Sequence, residues 1–127
     1  MAEPAGEYQM KSTGLHYDKT EDGQIKTIRT YEGTATRFGK IYGTLISVQP
    51  LVDAGGNSGR CTWVGKALLD DGTLMGGIGE GTIERIGNEL RANVSLTHNL
   101  SDGGQVRTEG IMDHGAGTFN GHFFDVE

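Results

Sequence analysis

The chain has 127 residues, a single cysteine and a formal net charge of −6. One domain spanning residues 1–127 is expected, because a chain of this length buries about two-thirds of the surface that its unfolded form exposes. The single cysteine, Cys61, excludes an internal disulfide and a cysteine-pair metal site, and an acidic chain without a Lys/Arg cluster offers no binding surface for nucleic acid.

The N-terminal residues show no targeting signal. They contain no basic segment followed by an apolar run, and no stretch of the chain approaches the ~18 apolar residues that a membrane helix needs. We therefore expect residues 1–6 to be a flexible tail and the protein to be cytoplasmic, with no membrane partner.

The rest of the chain consists of short strand-like runs separated by turn signals. Its 22 glycines are scattered among threonines and β-branched residues, which is typical of an all-β protein. In chain order the predicted strands are Tyr8–Tyr17, Gln24–Arg37, Lys40–Val48, Arg60–Leu69, Thr73–Ile86, Glu89–Asn99, Gly104–Asp113 and Gly117–Val126.

Six of the seven connections are short enough to be hairpin loops. Eight strands joined in this way form a meander, and a sheet of that size tends to close because closure removes its edges. The prediction is a single eight-stranded antiparallel up-and-down β-barrel. The one long connection, residues 49–58, is expected to rim one mouth and to control access to the interior.

Turn lengths predict how three of the hairpins pair. If Gly87-Asn88 is a two-residue turn, Glu84 lies opposite Arg91 on the outer face. In that register Leu90 shares the inner face with Ala92, Val94 and Leu96. Three-residue loops at 70–72 and 101–103 place Trp63 opposite Gly79 and bring Asp113 beside Arg91 on the outer face.

Gly77, Gly79 and Gly81 recur at two-residue spacing along one strand. Glycine weakens a strand interior by roughly 0.5–1 kcal/mol relative to alanine, so this spacing needs an explanation. We expect the three glycines to leave room inside the barrel for Trp63 and a ligand. The alternative is that Trp63 fills the core.

A weak internal repeat, "EGTATRFG" at 32–39 and "EGTIERIG" at 80–87, indicates two related hairpins. It places Arg29 and Tyr31 on the inner face, with Ile46 and Val48 across from them. Arg29 and Tyr31 can supply a charge or a hydrogen bond to a bound molecule. The alternative is that the arginine extends to the mouth and the tyrosine bonds to backbone.

Two histidines are expected near opposite rims of the barrel. His98 shares the face of Leu96, and His114 shares the face of Met112. His122 is expected to face solvent, and His16 cannot be placed because its loop permits two registers. The histidine spacing matches no metal-binding motif, so we expect neither a metal nor another cofactor.

The C-terminal sequence "GIMDHGAGTFNGHF" contains a G-x-G-x-F-x-G pattern at Gly115, Gly117, Phe119 and Gly121. With the eight short-looped strands, it resembles the allene oxide cyclase-like and dirigent-like barrels, which belong to the calycin-type folds. The resemblance implies cyclases, or proteins that steer reactive intermediates in an apolar cavity. It also implies homo-oligomers, dimers or trimers.

The function expected from these observations is a cofactor-free cyclase, isomerase or lyase acting on a small apolar or aromatic molecule inside the barrel. The predicted catalytic residues are Arg29, Tyr31 and His98, and the predicted substrate-binding residues are Trp63, Met112, Phe119 and Phe123. The alternatives are a non-catalytic protein that binds a similar ligand and a structural barrel with a filled core. A cavity of at least ~300 Å³ with convergent polar groups favours the first two.

Overall fold

The computed structural model describes residues 3–53 and 58–126. These residues form eight strands and one turn of 3-10 helix at Leu51–Asp53. The strands are β1 (Gly6–Lys19), β2 (Gln24–Ala35), β3 (Gly39–Pro50), β4 (Ser58–Leu68), β5 (Leu74–Arg85), β6 (Arg91–Leu100), β7 (Gln105–Asp113) and β8 (Thr118–Asp125). None of the helical structure within the described ranges is long and apolar enough to cross a membrane.

Each strand pairs antiparallel with its neighbour in sequence, and β1 pairs with β8 to close the barrel. The predicted eight-stranded antiparallel up-and-down barrel is therefore confirmed. Two residues of the predicted tail are ordered: the amide of Ala5 donates to the carbonyl of Phe123, and β1 begins at Gly6. Residues 1 and 2 lie outside the described residues.

The two ends of the barrel differ. One end, which we call the wide end, carries the β1–β2, β3–β4, β5–β6 and β7–β8 connections, and the other is the narrow end. At the wide end the β1–β2 ladder continues to Lys19, whereas β8 pairs with β1 only as far as Lys11. The β1–β2 hairpin therefore extends beyond β8, after a bulge between Ser12 and Gly14.

Two of the predicted hairpin registers are confirmed. Trp63 pairs with Gly79, and in the loop that joins their strands, β4 and β5, Gly72 is in the left-handed region with φ 89°. Asp113 pairs with Arg91 across β6 and β7. Both loops contain a glycine in the one position where a side chain is strained, which is why their length could be deduced.

The predicted pairing of Glu84 with Arg91 is wrong. Glu84 pairs with Asn93, because the β5–β6 loop has four residues, 87–90, and Ile86 bonds to Arg91 across its base. The side chain of Arg85 holds this wider loop by donating to the carbonyls of Asn88 and Glu89.

A shift of two residues leaves every strand residue on its predicted face of the sheet. Ala92, Val94 and Leu96 are accordingly buried inside the barrel, as predicted. Leu90 was expected beside them, but the longer loop removes it from the strand, and it is 62% exposed.

The predicted inward direction of Ile46 and Val48 is also wrong. Arg29 pairs with Leu45, and Ile46 pairs with Ile28 on the outer face. The β2–β3 loop differs from the loop of the related hairpin because Arg37 adopts φ 72° there, and β3 begins at Gly39 with φ 78°. A register that differs by one residue exchanges the two faces of a strand.

Aromatic rings fill the middle of the barrel. Phe119, which is 1% exposed, contacts Tyr8, Tyr31 and Trp63 at ring-centroid distances of 5.3, 5.4 and 6.4 Å. Edge-to-face and tilted contacts of this kind are favourable for aromatic rings. This aromatic layer separates the interior into two cavities.

Candidate functional site

The two cavities lie on opposite sides of the aromatic layer and differ in size and lining. The narrow cavity, at the narrow end, has a volume of about 90 Å³ and is lined by Trp63, His98, Thr108, Phe119, Phe123 and apolar neighbours. The wide cavity, at the wide end, has a volume of about 510 Å³ and is lined by Arg29, Leu45, Ser47, Ile83, Met112, His114 and rim residues.

His98 is the polar centre of the narrow cavity. It is 8% exposed, and its Nε2 atom lies 3.0 Å from the hydroxyl of Thr108. Burial lowers the pKa of His98 to about 4, so the ring is neutral at physiological pH. A neutral ring with a hydroxyl partner is stable inside an apolar cavity.

The space beside Gly79 is occupied by His98 rather than by Trp63. A Cβ atom added to Gly79 would lie 2.5 Å from Nδ1 of His98. The indole of Trp63 lies instead against Gly43 and Gly65, where a Cβ on Gly65 would be 2.9 Å from Nε1. The expectation that the glycines of β5 accommodate Trp63 is therefore wrong, although the strand register behind it is right.

Tyr8 adds a second buried polar group near the narrow cavity. Its hydroxyl lies beside Thr108 and above Gly110, but within the described residues no contact to it has the geometry of a full hydrogen bond. Burial raises the pKa of Tyr8 far above its ordinary value, and Thr108 opposes this with a smaller effect. The phenol is therefore neutral. Among the described residues that line the narrow cavity, the charged one is Lys66, which is exposed.

Arg29 is the dominant group of the wide cavity. It is 8% exposed; its Nη2 atom lies 2.7 Å from Nδ1 of His114, and its Nη1 atom donates to the hydroxyl of Ser12 at 3.3 Å. Its Nε atom is buried and has no partner among the described residues. None of the ion pairs found in the described part of the chain includes Arg29.

The contact with Arg29 determines the protonation of His114. A guanidinium can only donate hydrogen bonds, so Nδ1 of His114 accepts and Nε2 carries the proton. Desolvation lowers the pKa of His114, and the charge of Arg29 acts in the same direction. His114 is exposed at the rim, so a neutral imidazole presents an N–H donor close to Arg29.

Tyr31 lies on the same face of β2 as Arg29, two residues further along the strand and nearer the middle of the barrel. It is 2% exposed and packs against Trp63 and Phe119, and its hydroxyl has no partner in the described part of the chain. Burial raises the pKa of Tyr31 to about 12, with Arg29 opposing the shift. Its hydroxyl is therefore a neutral donor.

The rim of the wide cavity adds more positive than negative charge. Arg85, Arg91 and Glu89 lie there with Arg29 deeper inside. The carboxylate of Glu89 contacts Arg91 at 3.0 and 3.1 Å, whereas Arg85 bonds to loop carbonyls. The cavity is thus a cationic region of a chain whose net charge is −6.

The structure divides the predicted site residues between the two cavities. Arg29 and Met112 line the wide cavity and Tyr31 packs just beneath it, while His98, Trp63, Phe119 and Phe123 line the narrow one. His98 is therefore not brought together with Arg29. The histidine beside Arg29 is His114, whose position near a rim was predicted but whose partner was not.

Two further sequence predictions concern the surroundings of the cavities. Gln49 and Ser58 line the wide cavity, as expected for a long connection at a mouth, and residues 54–57 lie outside the described residues. His122 is exposed, as predicted. Within residues 3–53 and 58–126, no group of three or more His, Cys, Asp or Glu side chains is arranged to hold a metal ion.

The chain was compared with models of protein families, with characterised proteins and with solved structures. No match was found in any of the three comparisons. The resemblance to the allene oxide cyclase-like and dirigent-like barrels therefore stays a prediction from the sequence pattern.

Proposed function

We propose that this barrel binds a small organic molecule in the wide cavity. The observation that carries the proposal is the buried guanidinium of Arg29, which lines a cavity of about 510 Å³ without a carboxylate partner in the described part of the chain. Binding sites for small molecules typically have volumes of roughly 300–1,000 Å³, apolar walls and a few convergent polar groups. A structural barrel with a filled core has no need of a buried cation, which destabilises it.

The proposal can be tested by native mass spectrometry of freshly purified protein, followed by a thermal-shift screen of small molecules. Ser47→Phe places a ring in the wide cavity, and Ser95→Phe makes the same change on the exposed outer face of β6. Bound molecules should be lost from the first variant and retained by the second. Equal binding to both variants, or no binding to the unaltered protein, would contradict the proposal.

We propose catalysis as a second candidate function: a cofactor-free cyclase, isomerase or lyase that acts on a small apolar or aromatic substrate. The support is that Arg29 fixes a neutral tautomer of His114 next to its own positive charge. Arg29 and Tyr31 would stabilise negative charge that develops on a substrate oxygen. His114, rather than His98, would transfer a proton, because His98 lies in the other cavity.

A phenol of known colour tests this arrangement without knowledge of the substrate. 4-Nitrophenol bound beside Arg29 should ionise at lower pH than in water, because the buried cation stabilises the phenolate. The change is measured as phenolate absorbance during a pH titration. Arg29→Met should abolish the shift, and an unshifted titration of bound 4-nitrophenol would exclude oxyanion stabilisation at this site.

We also propose that the protein is cytoplasmic, and that it forms the homo-oligomer that the sequence resemblance implies. Cys61 is buried and unpaired, which is compatible with a reducing compartment. Tyr42, Val64 and Ile78 are about half exposed on the outer face of β3–β5, and Val64 pairs directly with Ile78. Light scattering should show a multiple of the chain mass that Val64→Glu lowers, and a monomer would contradict assembly.

A further inference from the structure

We propose that the wide cavity takes a monocarboxylate, whose carboxylate group binds the guanidinium of Arg29 and whose apolar body lies against the cavity walls. This inference rests on the proposed function, because it assumes that a small molecule occupies that cavity. It adds the chemical class of the ligand and the atom that recognises it.

The hydrogen-bond donors of Arg29 are only partly used. A guanidinium has five N–H groups in a planar fork that matches the two oxygens of a carboxylate. The contacts to His114 and Ser12 each use one N–H, on Nη2 and Nη1, and leave a second N–H on each nitrogen; Nε has no partner among the described residues but is itself shielded from the cavity. Free donors therefore remain on a side chain that lines the cavity.

The charge of Arg29 is also uncompensated by any ion pair in the part of the chain that the structure describes. A buried cation is costly unless an anion is paired with it, and an arginine cannot lose its proton to avoid that cost. Glu89, the carboxylate that lines the same cavity, already binds Arg91 through both oxygens. A bound anion would remove the cost, so the ligand is expected to carry the missing negative charge.

The charges and walls of the cavity favour a monocarboxylate over a phosphate. One guanidinium lies deep in the cavity, and a dianionic phosphate would bring two negative charges to it. The surrounding side chains, Leu45, Ile83 and Met112, are apolar, and Tyr17 and Leu90 are exposed apolar residues at the rim. Such walls fit an aromatic or alicyclic body, and the N–H of His114 offers a further donor to the carboxylate.

The test is isothermal titration calorimetry with two probes of nearly equal shape, 1-naphthoate and 1-naphthalenemethanol, which differ in charge. Both are titrated into the unaltered protein, into Arg29→Met and into Arg60→Met. The two substitutions change the net charge equally, but Arg60 lies on the exposed outer face of β4. Circular dichroism establishes that each variant is folded, and Arg29→Lys provides a second variant that retains the charge.

We expect 1-naphthoate to bind the unaltered protein at least ~10-fold more tightly than the alcohol, because charge-assisted hydrogen bonds are strong. Arg29→Met should weaken naphthoate binding by about 10- to 100-fold and leave binding of the alcohol unchanged. Arg60→Met should change naphthoate binding by less than about threefold. Arg29→Lys should restore part of the affinity.

Three outcomes would overturn the inference. The first is equal binding of the acid and the alcohol, and the second is an equal effect of Arg29→Met and Arg60→Met. The third is tighter binding of 1-naphthyl phosphate than of 1-naphthoate, which would make phosphate the ligand class. If 1-naphthoate and 1-naphthalenemethanol bind equally well and Ser47→Phe abolishes the binding of both, the proposed function still holds and only the preference for a carboxylate is wrong. A protein that binds neither probe nor any screened molecule would contradict both.

Discussion

Arg29 and His98 are the two buried basic side chains in the described part of the chain, and burial affects their charges differently. His98 loses its charge on burial and shares a hydrogen bond with Thr108. Arg29 remains charged and has a neutral imidazole and a hydroxyl as partners. Stability is therefore expected to depend on pH through His98 and on ligands through Arg29.

His98 should make the barrel less stable in acid. Its pKa is about 4 in the folded protein and 6.5 ordinarily. The contribution of the neutral His98 ring to the free energy of unfolding is therefore complete above about pH 6.5 and is lost as the pH falls toward 4. From about pH 7 to 4.5 this loss amounts to about 2 kcal/mol. Urea denaturation at both pH values should show a smaller loss for His98→Gln than for the unaltered protein. His122→Gln, on the outer face, is the control, and identical losses in both variants would contradict the prediction.

Arg29→Met should stabilise the empty protein while it weakens ligand binding. Methionine has a similar length and no charge, so the substitution removes the cost of an unpaired buried cation. We expect the free energy of unfolding to rise by about 1 kcal/mol, within the range seen when buried charged groups are replaced by apolar ones. The measurement is urea denaturation of protein freed of small molecules by refolding. A loss of more than about 2 kcal/mol would show that Arg29 has a stabilising partner.

Gly79 should tolerate no side chain while His98 is in place. In Gly79→Ala the new methyl would meet the imidazole at 2.5 Å, and overpacking of this kind costs about 1–3 kcal/mol. Gly77→Ala is a control on the same strand face, since its Cβ would lie 3.4 Å from Leu100. Combining Gly79→Ala with His98→Ala should recover part of the loss. Additive effects on unfolding free energy in this double-mutant cycle would argue against a shared volume.

At the scale of strands and loops, the accuracy of the sequence prediction depended on the turns. The loops that contain Gly72 and Gly103 were assigned correctly, because a glycine with positive φ marks a three-residue loop. The β2–β3 loop was assigned incorrectly, because the residue with positive φ there is Arg37, and an arginine in the sequence does not indicate a left-handed backbone. The β5–β6 loop was wrong because side-chain bonds from Arg85 stabilise a longer loop.

Gly72→Ala tests the role assigned to this turn. Gly72 has φ 89°, and a Cβ atom added to it would meet no other atom within 4 Å. The cost of a methyl group there is therefore conformational and amounts to about 1–2 kcal/mol. Gly76→Ala, in β5, is the matched control, because its Cβ would meet no atom closer than 3.9 Å. Thermal unfolding should show a lower Tm for Gly72→Ala alone. Equal shifts in the two variants would mean that the turn is not limited by backbone conformation.

At the scale of the whole barrel, alternation along the strands predicted the inward-facing residues except in β3, where Ile46 and Val48 face outward, and it did not predict how deep each residue lies. Arg29, Tyr31, His98 and Trp63 were all placed inside correctly. Their division between two cavities follows from the aromatic layer around Phe119, which forms by contacts among β1, β2, β4 and β8. Contacts between such distant segments are not encoded in any local pattern of the sequence.

The aromatic layer predicts that the two cavities behave independently. Ala67, 8% exposed, lines the narrow cavity. Ala67→Val should fill part of its 90 Å³ and raise the free energy of unfolding by up to about 1 kcal/mol. The affinity of the wide cavity for 1-naphthoate should remain within about twofold, because distant sites without shared partners are usually additive.

Ser47→Phe should show the reverse pattern, with binding lost and no gain from filling the narrow cavity. Urea denaturation and calorimetry of both single variants and of the double variant measure the two effects separately. Coupling between them would require the aromatic layer to move when either cavity is filled. If Ala67→Val abolished binding, the ligand would occupy the narrow cavity, and the role assigned to Arg29 would be wrong.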